Sequence, residues 1–217
     1  MKKATAVSAT IALMLVVFST LPSVSASSTW YPPYDWQRQQ RTGNGWCDAG
    51  VVVNKDTGEI KVYAWSNPFS AARAHGWVGA YITPSVNIVV TGMKARFYVN
   101  WKNNWGWPNQ AWAKVEYQIY NAASGPIEIG YDPVQRQPIW DPSANALRRI
   151  LVFNQWDTGS GTYEIDRDFS SSITLTAGTK YMIAFLFYCG SWGWASSGGA
   201  TPDGYNYAKA YYITLKY

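Results

Sequence analysis

The sequence has one histidine, His75, in 217 residues. A His-centred catalytic triad or a His-rich metal site has almost nothing to be built from. No nucleophile elbow and no metal-ligand spacing occurs. Asp132, Asp157, Asp166 and Asp168 are calcium ligands by residue type alone. Catalytic residues, metals and cofactors are therefore not expected on these grounds. Charged residues make up only 14% of the chain, and the formal charge is +5. Arg38, Arg41, Lys94, Arg96, Lys102, Lys114, Arg148 and Arg149 are scattered along the chain. That pattern fits a solvated surface rather than a nucleic-acid stripe, so no nucleic-acid partner is expected. There is no long amphipathic helical pattern and no repeat of fixed period.

What the N-terminus does contain is a leader. Lys2 and Lys3 precede the mostly apolar Val7–Phe18, and Val24-Ser25-Ala26 is a small-residue cleavage signal. Residues 1–26 are expected to be a signal peptide cut after Ala26. The apolar run is short for a bilayer span of about 20 residues, and no later run is long enough. The expected product is secreted, extracellular or held at the cell surface, with no membrane span in the mature chain. In an exported chain an even pair of cysteines reads as a disulfide. A Cys47–Cys189 bridge would close most of the domain and contribute roughly 5 kcal/mol in the chain-entropy model.

The remaining chain reads as strands. Val51–Val53, the turn Lys55–Gly58 and Glu59–Trp65 form a hairpin. Asn67-Pro68 before Phe69–His75 and Gly76 fits a short helix or the start of a strand running to Ile82. Strand is preferred from Arg73 onward. Val86–Asn100 alternates with a parity change near Thr91-Gly92, which predicts a bulge. In Ala111–Asn121, Val115, Tyr117 and Ile119 face one way. Trp112, Lys114, Glu116, Gln118 and Tyr120 face the other. Lys180–Cys189 is apolar on both faces and should be a buried central strand. Before it, Leu175-Thr176-Ala177-Gly178-Thr179-Lys180-Tyr181 resembles the tyrosine corner of Greek-key sandwiches. The expected class is all-β, an antiparallel β-sandwich or jelly roll. Residues 27–45, with Pro32-Pro33, read as an extended aromatic arm, and residues 46–217 as one sandwich domain.

Thirteen Trp and sixteen Tyr exceed what such a core needs. Trp-Gly-Trp occurs twice in polar loops, at Trp105–Trp107 and Trp192–Trp194. Flat aromatic faces suit the apolar faces of sugar rings. The candidate ligand-binding residues are Trp105, Trp107, Trp192 and Trp194, with Trp112, Glu116 and Tyr120 as a second face. A possible polysaccharide or cell-envelope polymer is the expected partner of a non-catalytic binding domain. The alternatives are that these tryptophans plug one end of the sandwich, or that they pack subunits together. Strand parity puts both loops at one end, beside Trp46 and the two cysteines. The count assumes that Thr162–Thr176 is two strands broken near Ser170.

Two further functions stay open. Val115-Glu116-Tyr117 after Trp105-Gly106-Trp107, together with Asp203-Gly204-Tyr205 before the last strand, resembles segments of small jelly-roll xylanases (glycoside hydrolase family 11). The resemblance implies Glu116 as nucleophile and Asp203 in the place of the acid/base, about 5–5.5 Å apart for a retaining reaction. The other is an extracellular structural or filament subunit that self-associates through the arm Trp30–Arg41.

Overall fold

A computed structural model describes residues 26–104, 109–126, 131–132, 137–138, 145–197 and 204–217. The expected leader, at residues 1–25, lies outside these, as do Trp105, Trp107 and Asp203. The described chain contains fifteen strands and no helix. They are β1 (Ser27–Trp30), β2 (Trp36–Asn44), β3 (Cys47–Asn54), β4 (Glu59–Ser66), β5 (Ala71–Ile82), β6 (Ile88–Trp101), β7 (Asn103–Asn104) and β8 (Gln110–Asn121). Then follow β9 (Tyr131–Asp132), β10 (Gln137–Pro138), β11 (Ala146–Gln155), β12 (Gly159–Leu175), β13 (Tyr181–Trp192), β14 (Ala195–Ser197) and β15 (Asn206–Lys216).

The architecture is a sandwich of two antiparallel sheets. One sheet has five strands in the order β11-β8-β13-β5-β2. The other has eight: β12-β6-β15-β4-β14-β7, with β1 on β15 and β3 on β4. Side-chain alternation explains the layers. Val115, Tyr117 and Ile119 of β8 and Ile183, Phe185 and Phe187 of β13 enter the space between the sheets. They meet Ile60 and Val62 of β4 and Met93, Ala95 and Phe97 of β6. Fully burying side chains of this size stabilises by about 1.5–3 kcal/mol each. The opposite parity of β13, with Met182, Ala184 and Leu186, is also buried, against Trp36, Trp77 and Tyr120 on the outer face of the five-stranded sheet. That is why this strand is apolar throughout. The Tyr117 hydroxyl crosses the core. It donates to Ile165 O on β12 (2.9 Å) and accepts Ala95 N–H on β6 (3.2 Å).

The tyrosine corner is present. Thr176 N–H donates to Tyr181 Oη at 2.9 Å, and Gly178 takes φ +73° in the turn between them. A Tyr181→Phe chain is expected to lose about 1–2 kcal/mol of stability, because a partly buried N–H loses its acceptor. An unchanged urea midpoint would contradict this.

The parity change at Thr91-Gly92 is a break in the β6–β12 ladder. Gly92 pairs with Asp168 and Val90 with Ile173, so Phe169–Ser172 form a bulge opposite Thr91, with Phe169 packed in the core. A Cβ on Gly92 would stand 2.5 Å from Arg167 O, so only glycine lets the strands approach there. The break expected near Ser170 falls at this bulge, but β12 continues through it as one strand. The two-strand count is corrected accordingly.

Residues 27–45, read as an arm, are extended and paired within the fold: β1 lies on β15 and β2 on β5. The Pro32–Pro33 peptide is cis, not the trans form of a polyproline segment. Asn67–Ser70 is a turn between sheets, not a helix, and β5 begins at Ala71.

The expected Cys47–Cys189 disulfide is not formed. The sheet order gives the reason. Cys47 Sγ lies over Gly43 of β2, 2.4 Å from where a Cβ would be. Cys189 is on β13, and β5 stands between these two strands. Burial pushes the Cys47 thiol pKa up, which lowers its thiolate reactivity.

Candidate functional site: an aromatic rim at one end of the sandwich

β6 stops and β8 starts at one end of the sandwich, and β13 stops there too, with Trp192 opposite Gln110. β14 pairs with both β7 and the end of β4. The loops that carry the two Trp-Gly-Trp motifs therefore leave from the same end, as strand parity predicted. The route differs from the predicted one: β12 is continuous, and β11 begins at the end where β8 stops. Cys47 and Trp46 are at this end as well, because Cys47 pairs with Ser66.

Four segments are fastened together here. Asn67 N–H donates to Trp46 O at 2.9 Å, and Gly193 N–H donates to Ser70 O at 3.0 Å. Ser66 Oγ donates to Gly193 O at 2.7 Å. Trp194 N–H donates to the Asn109 side-chain oxygen at 2.9 Å. The backbone is thus tied, while the aromatic side chains it bears point to solvent. Trp46 is 80% exposed, Phe69 97%, Trp194 71% and Trp192 48%. Trp192 and Trp194 therefore do not plug the sandwich.

Phe69 was not picked out in the sequence, where Asn67-Pro68 imitates a helix start. Its φ is +59°, a region that bulky residues avoid at a cost of about 1–2 kcal/mol. A strained backbone that presents a bare aromatic ring to water is a mark of a functional surface.

The second face divides. Trp112 lies flat over β13: a Cβ on Gly190 would stand 2.2 Å from Trp112 Cζ2. Its ring packs on Trp156, with centroids 5.8 Å apart. Lys114 Nζ sits 5.6 Å from the Trp112 centroid and 5.5 Å from that of Trp156, in cation–π range. This cluster is two residues along the sheet from Trp192, so it continues the rim downward. Tyr120 is different. It is fully buried and its hydroxyl donates to Gln118 Oε1, which leaves no surface for a ligand.

Glu116 is 4% exposed. It accepts Tyr188 Oη–H at 2.8 Å and Gln118 Nε2–H at 2.9 Å. Trp77 Nε1–H also donates to Gln118, at 3.1 Å. His75 is buried between the Trp77 and Tyr188 rings, at 5.7 and 5.3 Å. Burial and the Glu116 carboxylate raise the Tyr188 pKa well above the ordinary phenol value. Burial holds the Lys114 ammonium pKa below its usual range. The cross-strand neighbours of Glu116 are Leu186 and Leu151, neither of which is acidic. Tyr205 packs on Tyr63 at 4.9 Å. Tyr63 is on the outer face of the eight-stranded sheet, across the sandwich from Glu116. The described residues thus give Glu116 no second carboxylate.

Among the described residues no group of His, Cys, Asp and Glu is arranged to hold a metal. Asp166 and Asp168 instead face Lys216. No helix among them is long and apolar enough to cross a membrane.

The fold and this end of it define an antiparallel β-sandwich with an exposed aromatic rim. Neither a protein-family model nor a curated protein matches the chain. Among solved structures, the carbohydrate recognition domain of Emp47p is similar at 8% identity and a TM-score of 0.28, over 78% of this chain and 87% of that one.

Proposed function

We propose that the chain is an exported, non-catalytic binding domain that holds a polysaccharide or cell-envelope polymer on the rim formed by Trp46, Phe69, Trp192 and Trp194. The observation that supports it is the exposure of these large aromatics on loops tied by backbone hydrogen bonds. Exposing such side chains to water is unfavourable, at about 25 cal/mol per Å² of apolar surface, so their grouping calls for a partner. Preformed loops lower the ordering cost of binding, and stacked rings tolerate many sugars while neighbouring amides set orientation.

A glycan array and titration of intrinsic Trp fluorescence with soluble polysaccharides test this. At least one polymer should shift or quench the emission, and Trp194→Ala should weaken that response about tenfold or more. Silence across neutral and acidic glycans alike would refute the proposal.

A further inference from the structure

The basic residues look scattered in the sequence, but the five-stranded sheet gathers three of them. Arg73 on β5 is opposite Gly190 on β13, which is opposite Trp112 on β8. Lys114 is opposite Tyr188, and Arg149 on β11 is opposite Gln118. All three project from the outer face of this sheet, where Arg73 and Arg149 are exposed. None of them forms an ion pair with a described residue. The carboxylate in their midst, Glu116, is buried and held by Tyr188 and Gln118, so it cannot swing out to meet them. Among the described residues, this part of the face sets the three cations Arg73, Lys114 and Arg149 around one fixed anion. The lowered Lys114 pKa follows chiefly from burial, with Arg73 and Arg149 adding to it against the pull of Glu116.

Beside these cations lies an aromatic surface. Trp112 is flat on Gly190, Trp156 packs against it, and Lys114 reaches over both. A uronic acid residue has both features that this surface complements: an apolar ring face and a carboxylate at the ring edge. We propose that Arg73, Lys114 and Arg149, with Trp112 and Trp156, form a second contact surface that takes the acidic sugar residues of an anionic polysaccharide. The inference rests on the polymer-binding function proposed above and names the ligand class. Nucleic acid fits less well. Bases stack singly on separated aromatic faces, whereas these two rings pack on each other at 5.8 Å. The expected leader also takes the chain away from nucleic acid.

The test compares polygalacturonate with its methyl ester, the same backbone without the charge, in affinity electrophoresis of the full mature chain. Alginate and hyaluronan are run beside neutral xylan. At low salt an acidic polymer should bind about tenfold more tightly than its neutral counterpart. The difference should fade in 1 M salt, where the Debye length is about 3 Å. The exposed-site double variant Arg73→Gln/Arg149→Gln should fall to the affinity of the neutral polymer and bind that polymer unchanged. Trp112→Ala should weaken both. Equal binding of charged and neutral polymers, or a double variant that keeps the preference, overturns the second surface and leaves the rim intact. Tighter binding to single-stranded DNA of equal charge overturns the polysaccharide assignment. Failure of the unmodified chain to bind any glycan overturns the proposed function along with it.

Discussion

Replacing Glu116 with Ala is expected to lower the unfolding free energy by about 3 kcal/mol. The carboxylate accepts hydrogen bonds from Tyr188 Oη and Gln118 Nε2 on a buried face. Removing it leaves one buried donor, Gln118, and one partly buried donor, Tyr188, without an acceptor, at about 1–3 kcal/mol for a fully buried group. It also removes the carboxylate whose charge favours the Lys114 ammonium. Glu116→Gln should cost less, because its amide oxygen still accepts from one of the two donors. Urea unfolding of the parent and both variants measures this directly. The same experiment decides the xylanase resemblance. A hydrolytic nucleophile is held at some cost to the fold, so its removal is commonly neutral or stabilising. A structural acceptor behaves in the opposite way. If Glu116→Ala were at least as stable as the parent, and lost a xylan-hydrolysing activity that the parent possessed, the catalytic assignment would be restored.

The fold was legible wherever one strand face is apolar. β4, β6, β8 and β13 show their parity in the sequence because inner and outer positions differ in chemistry. β13 is apolar throughout because both sides are covered, and the Leu175–Tyr181 step announced the corner in front of it. β2 was not legible. Its residues, WQRQQRTGN, are polar on both faces beyond Trp36. It is an edge strand whose pairing partner, β5, supplies the hydrophobic support, so periodicity is silent there. Strand from Arg73 onward was legible and lies within β5, but the turn at Asn67–Ser70 before it also fits a short helix in sequence. Its local capping chemistry is that of a helix, but the chain must cross between sheets at that point, and tertiary context prevails over propensity. The disulfide was inferred from compartment and cysteine count, which contain no distance information. The sheet order then placed the two thiols on different strands. Half of the proposed rim was legible, because Trp192 and Trp194 stand out against polar neighbours. Phe69 was hidden by the helix-like Asn67-Pro68. The cationic surface was invisible because Arg73, Lys114 and Arg149 are brought together only by cross-strand register.

Trp46→Ala combined with Trp194→Ala separates binding from folding more sharply than any other change to this chain. Both side chains are mostly exposed, at 80% and 71%, and neither belongs to the buried core. Surface changes of this kind usually shift stability by no more than about 0.5 kcal/mol. The hydrogen bonds that hold the rim use the Trp46 carbonyl and the Trp194 N–H, and both survive truncation of the side chain. The loops should therefore keep their shape while losing two of the four rings. Aromatic anchors at the centre of a contact surface commonly account for 2 kcal/mol or more each. Two of them correspond to a loss of affinity of about a hundredfold or more, even after allowance for non-additivity between neighbours. The readouts are the urea midpoint and the polymer dissociation constant of the same preparation. A double variant that unfolds several kcal/mol more readily would mean that these rings pack the end of the sandwich after all. One that is stable and still binds at full strength would move the ligand off the rim and onto the Trp112 surface of the five-stranded sheet. The expected combination is a stable fold with its binding gone.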